Sequence, residues 1–524
     1  MMPKFILNNY KQTILLSLNL EDQLQPGTFE YALHYLIENK LDLTIFYPRY
    51  KNDDNGRPAY HPAILLKIIL FAYSKGITSS REIQWCCKNN ILFKTLACDS
   101  EPHYSTIADF ISSKPSDIEA IFEQVLLICD EEGLLGNELF AIDGCKMRSD
   151  AAKTWSGTFK ELTKKRDKLK RMIKYQMNLH QENDQIENGD DDAKEERIAQ
   201  TIETLTKAHD KIDTFLTENE PREGKGKRKA EVKSNITDNE SAKMTTSKGT
   251  IQGFNGVASV DKKHQIIIDA QAFGEGQEHH VLQPVLNTIK ERFKRLGISE
   301  DIYKAGTIVT ADTGYANEDN MQFLHDHKID GYIPDNQFRS RDPKFADQKK
   351  KYGKRNQSTK RRDVKRYTPS DFKLNSEAKS CECPAKKSMW LKSDGKDKHG
   401  NEKLFFEGRI TDCRACEHKV QCMKNPSSAD SRKGTGRQVS FIIKERTPEP
   451  NFTDWMKARV DSEKGKEIYS HRMSVVEPVF ANMCSNKGLS RFTLRGKNKV
   501  QGQWQLFSTV HNIEKLMNYG KSAH

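Results

Sequence analysis

Two short apolar runs, each ending in an aspartate, constrain the fold of this chain more than any other feature. Asp143 ends the run that follows Glu138, and Asp312 ends the run that begins at Thr307. Short apolar runs of this kind predict buried strands. An acidic side chain at the end of such a strand points out of the sheet edge. A third acid, Glu477, lies far downstream in a segment that predicts a helix.

Two aspartates and one glutamate brought together form an oxygen-rich site that suits Mg²⁺. Two such ions about 3.5–4 Å apart activate a water or a 3′-hydroxyl and stabilise the leaving oxygen at a phosphodiester. An aspartate that follows a strand is, taken singly, more often a turn or cap residue. The metal-site interpretation therefore depends on the order of elements around all three acids.

The composition indicates a polar protein of several domains. A chain of 524 residues with a mean hydropathy of −0.78 is long enough for two to four domains. No stretch approaches the length of uninterrupted apolar sequence that a membrane span needs, and the first residues lack the apolar segment of a signal peptide. We therefore expect no membrane span and no signal peptide, and we predict a cytoplasmic protein.

The net charge of +12 is unevenly distributed along the chain. Residues 339–366 hold 13 Lys or Arg against three Asp, whereas residues 182–196 hold eight acidic residues against one Lys. A basic block favours phosphate backbones because binding releases counterions. The alternative for the basic block is a merely solvated loop, and its composition does not decide between the two.

The amino-terminal region, 1–135, contains four segments that predict helices. Short helices joined by tight turns fit a helix-turn-helix-like DNA-binding unit, and they fit any small helical bundle equally well. The pattern singles out no recognition helix. The four segments are His61–Tyr73, Arg81–Cys86, Tyr104–Ile111 and Asp117–Glu131.

Downstream, predicted strands and helices alternate around two insertions. The first insertion has two apolar stripes of helical spacing on either side of the acidic stretch, which predicts an antiparallel helical hairpin. One long helix, Asn451–Met483, is predicted to carry Glu477, with Pro478 as a candidate kink. The other predicted elements are strands at 137–148, Ile251–Val260, Gln265–Phe273, Thr307–Ala311 and Gly331–Pro334, and helices at Val281–Leu296, Asn317–His327 and Gln501–Tyr519.

Without the insertions, the order is strand–strand–strand–helix–strand–helix–strand–helix, which is the order of the ribonuclease-H-like fold of many polynucleotidyl transferases. At this point the chain resembles bacterial insertion-sequence transposases of the DDE class with an InsH-like N-terminal domain. The resemblance covers most of residues 20–518 and rests on the joint order of short motifs. They are Ser79–Ile83, Tyr104–Phe110, Ala141–Gly144, Thr237–Ser241, Gly253–Gly256, Ala311–Tyr315, Val476–Phe480, Gly488–Gly496 and His511–Asn512.

The resemblance implies an α/β (α+β) fold, in which a ribonuclease-H-like core carries a helical-hairpin insertion and a Cys-rich, zinc-ribbon-like insertion. The implied domains are a helical DNA-binding domain at 1–135, a first part of the core at 136–334 with the helical insertion at 155–235, a basic and Cys-rich insertion at 335–445, and a last part of the core at 446–524.

The resemblance also implies that Asp143, Asp312 and Glu477 form the catalytic triad and hold two Mg²⁺ (or Mn²⁺) ions. In the family, a Tyr and an Arg precede the Glu on its helix, and a Lys follows about two turns later. Tyr469 and Arg472 match the first two loosely, because four residues rather than three separate Arg472 from the Glu.

The Lys position of the family pattern is Cys484 in this chain, and Lys487 is the nearest substitute. Arg491 and Arg495 are further candidates for phosphate contacts, with ordinary surface charge as the alternative. Asn255 and Asp238 lie near the core strands and are candidates to support the site, although a turn or cap role is the commoner one for each.

Five of the eleven cysteines are clustered between Cys381 and Cys422, as a Cys-x-Cys pair followed after a long spacer by Cys-x₂-Cys-x₅-Cys. In a reducing compartment this spacing is typical of a structural zinc site, because four thiolates satisfy tetrahedral Zn²⁺. Similar transposases have a Cys-Pro-Ala-Gly-like turn, which Cys383–Ala385 matches. The alternative is a cluster of reduced thiols. The chosen ligands are Cys383, Cys413, Cys416 and Cys422, with Cys381 or His418 as the spare.

We therefore predict a transposase that binds the terminal inverted repeats of its element, cuts DNA and joins the 3′-OH ends to target DNA. Its partners are expected to be double-stranded DNA and a second copy of the chain in a synaptic homodimer. Two alternatives remain: a nuclease of the same fold without strand transfer, and an inactive or repurposed transposase that acts as a DNA-binding protein. A zinc hydrolase is disfavoured, because the sequence has no His-Glu-x-x-His run.

Overall fold

The computed structural model describes residues 19–50, 58–113, 115–184, 192–225, 229–345, 366–396, 401–431, 434–444 and 451–521. The chain divides into two compact units, one formed by Met1–Phe338 with Trp455–His524 and the other by Arg339–Asp454. Most of the basic block predicted at 339–366, and the centre of the acidic stretch at 182–196, lie outside the described residues.

Among the described residues before β1 (Leu139–Arg148), six α-helices form the amino-terminal part of the first unit. The helix Pro62–Ser74 is buried on nearly every side, which its dense apolar sequence predicts, and its one inward lysine, Lys67, pairs with Glu38 at 2.7 Å. All four predicted helices are present, and two further helices were not predicted. The six are Phe29–Asn39, Pro62–Ser74, Ser80–Asn89, Ile91–Leu96, Tyr104–Ser112 and Pro115–Glu131.

The five predicted strands of the first unit are present in the predicted order, and five further short strands among its described residues were not predicted, of which the last forms a tight hairpin with the strand Gly249–Asp261. Together they are β1 (Leu139–Arg148), β2 (Ser156–Gly157), β3 (Arg222–Glu223), β4 (Glu231–Val232), β5 (Ser234–Asn235), β6 (Ala242–Thr246), β7 (Gly249–Asp261), β8 (Ile267–Phe273), β9 (Ile308–Ala311) and β10 (Asp330–Tyr332).

Six of these strands form one sheet in the order β10-β9-β1-β7-β6, with β8 also paired to β7. The strand β1 runs antiparallel to β7 and parallel to β9, and β9 runs parallel to β10. The helices Leu282–Arg295 and Glu318–Asp326 follow β8 and β9 in the chain. Nearly every residue of β7 is buried, because helices cover the sheet.

The predicted helical hairpin consists of the helices Phe159–Asp184 and Asp192–Glu218, which pack against each other. Leu162, Ile212 and Phe215 form its small buried core. Further along the first helix, Met172 and Met177 are exposed. The predicted apolar stripe is therefore buried only in part.

The prediction of a single long helix at Asn451–Met483 is wrong, because the segment forms two helices, Phe452–Asp461 and Glu463–Ala481. The break occurs at Ser462, whose hydroxyl accepts a hydrogen bond from the N–H of Gly465 at 3.0 Å and caps the second helix. Pro478 lies inside that second helix, which continues to Ala481.

A short π-helical turn, Asn482–Asn486, follows the Glu477 helix, as we name Glu463–Ala481. The C-terminal helix, Lys497–Tyr519, is buried along most of its length and packs on Pro115–Glu131 and on β8. It thus joins the amino-terminal helices to the sheet within one hydrophobic core.

The second unit contains an antiparallel sheet of five strands in the order β11-β12-β13-β14-β15. Phe372, Met389, Phe406 and Val439 are part of its separate hydrophobic core. The helices Ile410–Arg414 and Lys419–Cys422 are one turn each. The strands are β11 (Lys373–Asn375), β12 (Ser380–Glu382), β13 (Ser388–Lys396), β14 (Glu402–Glu407) and β15 (Gln438–Lys444).

Throughout the described ranges, every helix is too short or too polar to cross a lipid bilayer.

Candidate active site

Asp143 and Asp312 lie side by side at one edge of the main sheet. The parallel strands β1 and β9 pair with Ile142 opposite Ala311. Asp312 directly follows β9 as predicted, whereas the prediction that Asp143 ends its strand is wrong, because β1 continues to Arg148 through its pairing with β7. Burial raises the pKa of Asp143, and the negative charge of Asp312 raises it further against the opposing effect of Arg472. The register of the two strands therefore brings the two predicted acids together.

Each of these carboxylates is held by the backbone that follows it. Asp143 Oδ1 accepts a hydrogen bond from the N–H of Gly144 at 2.8 Å, and Asp312 Oδ1 accepts one from the N–H of Gly314 at 2.8 Å. Asp312 also caps the short turn Thr313–Tyr315. The cap role that such residues commonly play is thus present, and it orients the side chain at the sheet edge.

The Glu477 helix contributes a cation to the same edge. Arg472 Nη2 lies 2.7 Å from Asp143 Oδ2, and Arg472 is only 8% exposed. Burial lowers the pKa of Arg472, but Asp143, with smaller contributions from Tyr469 and Asp312, raises it by more, so the pKa lies above its ordinary value. The ion pair fixes this helix against β1.

Glu477 lies on a different face of its helix from Arg472. Five helical residues correspond to about 140° around the axis when each residue turns about 100°. In agreement with this angle, Glu477 is exposed, whereas Val475, Val476 and Val479 are buried. The structure therefore presents Glu477 to solvent rather than packing it against the inner side of the helix.

A carboxylate that sequence reasoning missed, Glu278, lies beside the two aspartates. It begins a short turn, Glu278–His280, and pairs with Lys146 of β1 at 3.4 Å. Burial raises the pKa of Glu278, and the charges of Asp312 and Asp143 raise it further. Nothing in its local sequence indicates this position, because the contact is made across the fold.

Two buried polar side chains near the aspartates lack hydrogen-bond partners among the described residues. The hydroxyl of Tyr315 is one, and both amide atoms of Asn255 are the other. Burial raises the pKa of Tyr315, and Asp143 heads the charged neighbours that raise it further. A Cβ on Gly144 would lie 2.8 Å from Oδ1 of the buried Asn255, so a larger residue there would require the Asn255 side chain to move.

The remaining candidates for DNA contact are spread over the carboxyl-terminal part of the first unit. Tyr469 packs edge-on against Phe338, and Arg491 is exposed. Arg495 pairs with Asp150 at 2.9 Å on the surface. Asp238, by contrast, accepts backbone hydrogen bonds from Glu240 and Gly496, which is a turn role.

Lys487 differs from these exposed residues. It is 2% exposed, and its ammonium group pairs with Glu514 of the C-terminal helix. A contact between Lys487 and DNA would require this ion pair to open. Cys484, at the family's Lys position, interacts with the thiol of Cys145 on β1.

In the second unit, the four cysteines predicted to bind zinc line one small cavity, together with His418. Burial raises the pKa of Cys422 to about 11, and Cys413, Cys383 and Cys416 contribute to the rise. The four thiols are therefore close enough to repel one another as thiolates.

Of the two spare ligands proposed from the sequence, His418 lines the same cavity and Cys381 does not. Cys381 is buried in the hydrophobic core, with its Sγ 3.9 Å from Met389 Sδ. The ring of His418 is 3.2 Å from the hydroxyl of Tyr367. Within the described ranges, no three or more His, Cys, Asp or Glu side chains are already spaced as ligands of one metal ion. The donor types at the two clusters nevertheless suit Mg²⁺ and Zn²⁺ respectively.

Two family models match the chain. A model described as a transposase DDE domain matches residues 382–517, and a transposase domain model, DUF772, matches residues 18–113. The first match includes the four clustered cysteines from Cys383 onward, the Glu477 helix and most of the C-terminal helix, and the second includes the first five helices. No curated protein matches the chain.

Proposed function

Because the chain belongs to the DDE transposases of bacterial insertion sequences, we propose that it binds the terminal inverted repeats of its element, cuts them and joins their 3′-OH ends to target DNA. The adjacent carboxylates of Asp143 and Asp312 are the observation that carries this proposal. Asp312 lies at the carboxyl end of β9, where α/β sheets commonly bind ligands, and Asp143 lies beside it within the parallel neighbour β1.

The sheet is proposed to be ribonuclease-H-like. Three antiparallel strands (β1, β7 and β8) continue into two parallel strands (β9 and β10) on the other side of β1. This order supports the assignment because it puts the first and the fourth core strands, which carry the two aspartates, next to each other.

Asp143 and Asp312 are proposed to hold divalent ions, with Glu477 completing the second of two sites. A bound Mg²⁺ or Mn²⁺ pair activates the attacking water or 3′-hydroxyl and stabilises the leaving oxygen. The protein's own part is to hold the carboxylates at the sheet edge through the backbone of Gly144 and Gly314. Glu477 is exposed and therefore accessible to an incoming DNA end.

DNA affinity is proposed to come from the helical amino-terminal domain, the basic block at 339–366, and polar residues around the Glu477 helix. Arg491 is exposed, which supports a phosphate contact. Lys487 is the least accessible of these candidates. The residues proposed for DNA contact are Tyr469, Arg472, Lys487, Arg491 and Arg495.

A structural Zn²⁺ is proposed at Cys383, Cys413, Cys416 and Cys422. The shared cavity supports this proposal, as do the two one-turn helices that carry Cys413 and Cys422. A unit with a small hydrophobic core gains folding free energy from such an ion.

The working assembly is proposed to be a homodimer in the cytoplasm, associated with the nucleoid. Joining two element ends requires two active sites in one complex, which a symmetric dimer supplies.

An inactive or repurposed transposase that only binds DNA is the alternative, and one observation favours it. The family's Lys position is Cys484, and the nearest lysine, Lys487, is buried in an ion pair. A catalytic transposase of this class would then lack one contact to the DNA end.

Cleavage of linear DNA that carries the flanks of the gene distinguishes the two functions. Wild type with Mg²⁺ is expected to nick at the element ends, while Asp312→Asn, or wild type with EDTA, binds the same DNA without nicking it. Binding without cleavage by wild type in either Mg²⁺ or Mn²⁺ would favour the DNA-binding alternative.

A further inference from the structure

Glu278 lies beside the aspartate pair, although no sequence motif indicated that it would. The turn that carries Glu278 packs against the turn Thr313–Tyr315 after β9. A Cβ built on Gly314 would overlap the Glu278 carboxylate and lie 3.0 Å from Asp312 Oδ1. Because Gly314 has no side chain, the Glu278 and Asp312 carboxylates can approach each other beside it.

The three carboxylates carry more negative charge than their cationic partners neutralise. Arg472 pairs with Asp143 at 2.7 Å, and Lys146 pairs with Glu278 at 3.4 Å. Two cations thus face three anions, and Asp312 has no ion-pair partner among the described residues. A carboxylate cluster with an excess negative charge, held out of water, favours a divalent cation.

An independent observation points into the same cluster. Tyr315 is completely buried, and its hydroxyl has no hydrogen-bond partner among the described residues. Asp143, Glu278 and Asp312 are its acidic neighbours. A buried hydroxyl without a partner is costly, so its position beside three carboxylates indicates a polar occupant, such as the water shell of a bound ion.

We propose that Glu278 is a ligand of a divalent cation that Asp143 and Asp312 also hold. This inference rests on the proposed function, because it names a further carboxylate of the same metal site. In this arrangement Lys146 is a charged neighbour of Glu278 and is not needed for the cation to bind. Glu477 lies on the exposed face of its helix. It is not needed for this cation and keeps its proposed role at the incoming DNA end.

The competing explanation is that Glu278 is only the ion-pair partner of Lys146. The two explanations make opposite predictions for Lys146. Removing the lysine takes a positive charge away from a cation site, so a site that uses Glu278 should bind the cation equally well or more tightly. If Glu278 serves only to form the ion pair, the loss of Glu278 and the loss of Lys146 should change Mn²⁺ binding equally.

Mn²⁺ binding to the full-length protein without DNA, measured by calorimetry or electron paramagnetic resonance, tests the proposal. Wild type, Glu278→Gln, Lys146→Met and the nearby control Glu275→Gln should be compared, with thermal unfolding used to confirm that each is folded. Glu275 pairs with Lys225 at the surface, 2.6 Å away, so its substitution changes the charge of the same loop.

We expect Glu278→Gln to weaken Mn²⁺ binding about 10-fold or more, whereas Lys146→Met and Glu275→Gln bind at least about as tightly as wild type. Wild-type affinity in Glu278→Gln would overturn the proposal, as would an equal loss in Lys146→Met or no Mn²⁺ binding by wild type. This measurement contains no DNA, so it does not depend on the transposase function. If the cation site is right and the transposase function is wrong, wild type binds Mn²⁺ here but does not cut DNA in the separate cleavage assay.

Discussion

Arg472 reaches from the Glu477 helix to Asp143 on the first core strand, with Nη2 and Oδ2 2.7 Å apart. The pair joins two parts of the chain that are far apart in sequence, and it lies at the sheet edge where Asp312 also ends its strand. A helix bearing one proposed catalytic acid is thereby attached to the strand that bears another. The relationship makes the geometry of the site depend on a single buried guanidinium.

Substitution of Gly314 by alanine should disturb the site without removing any charge. The new Cβ would overlap the Glu278 carboxylate and crowd Asp312. We expect Gly314→Ala to lower DNA cleavage about 10-fold or more while the free energy of unfolding changes little, because the overlapping atom is the end of a flexible side chain. Cleavage assays and thermal unfolding measure the two effects, with Gly395→Ala, where a Cβ meets open space, as the control for adding a methyl group. Equal cleavage by both variants would contradict the crowding.

Arg292 is expected to be a main determinant of stability. It is 1% exposed, forms an ion pair with the buried Asp269 of β8, and also pairs with Glu119 at 2.9 Å and Glu123 at 3.0 Å on Pro115–Glu131. Arg292→Met leaves Asp269 buried and unpaired, so we expect a loss of about 3–5 kcal/mol in the free energy of unfolding. Chemical denaturation measures it.

The control for this prediction is Arg295→Met. Arg295 also pairs with Glu123, but the Arg295 side chain is 58% exposed. The substitution should cost less than about 1 kcal/mol. The double variant Arg292→Met/Asp269→Asn should recover part of the loss, because no buried charge then lacks a partner. A double variant less stable than Arg292→Met would contradict this account.

His511 should make the protein less stable in mild acid. Its neutral ring is buried in the C-terminal helix, with Nε2 2.9 Å from the carbonyl oxygen of Gln265 and Nδ1 3.1 Å from Asn482 Nδ2. Burial lowers the pKa of His511 to about 3 from its ordinary value of 6.5. Because the folded-state pKa is the lower one, the stabilisation is complete above pH 6.5 and is lost as the pH falls toward 3.

Between pH 7 and pH 5 this group alone should lower the free energy of unfolding by about 2 kcal/mol. Chemical denaturation at both pH values measures the change. In His511→Gln the difference between the two pH values should shrink by the same amount, whatever the variant's absolute stability. An unchanged pH difference in the variant would assign the effect to other groups.

Zinc content tests the cysteine cluster separately from catalysis. Purified wild type should hold about one Zn²⁺ per chain, and Cys413→Ser should lose it, because its thiol lines the shared cavity. Cys381→Ala should retain the ion, since that thiol belongs to the hydrophobic core. Elemental analysis of dialysed protein gives the result. Zinc-free wild type, or equal loss in both variants, would contradict the assignment.

Local sequence patterns predicted the elements that place the aspartates. The apolar runs before Asp143 and Asp312 form parallel neighbouring strands, and nearly all of their residues are buried, including Thr310. The helical stripes of the hairpin were also recognisable, although only its small core around Leu162 and Phe215 is buried. Periodicity reports what one segment can bury, and here that was sufficient.

Features that depend on contacts across the fold could not be predicted in this way. Glu278 becomes part of the site only because its loop meets the turn after β9, which comes later in the chain beyond an intervening helix and strand. Lys487, the nearest substitute at the family's Lys position, is buried and pairs with Glu514 of the C-terminal helix, which lies later in the chain. The break at Ser462 was missed because the helical pattern continues on both sides of a serine that caps the second helix.

Excision of the element from a donor plasmid tests the central claim most directly. The gene's own flanking DNA would be placed around a marker, and wild type compared with Asp143→Asn in cells that contain equal amounts of each protein. The account predicts excision by wild type only, while Asp143→Asn still binds the flanks. Excision by Asp143→Asn at the wild-type frequency would contradict the role assigned to this carboxylate.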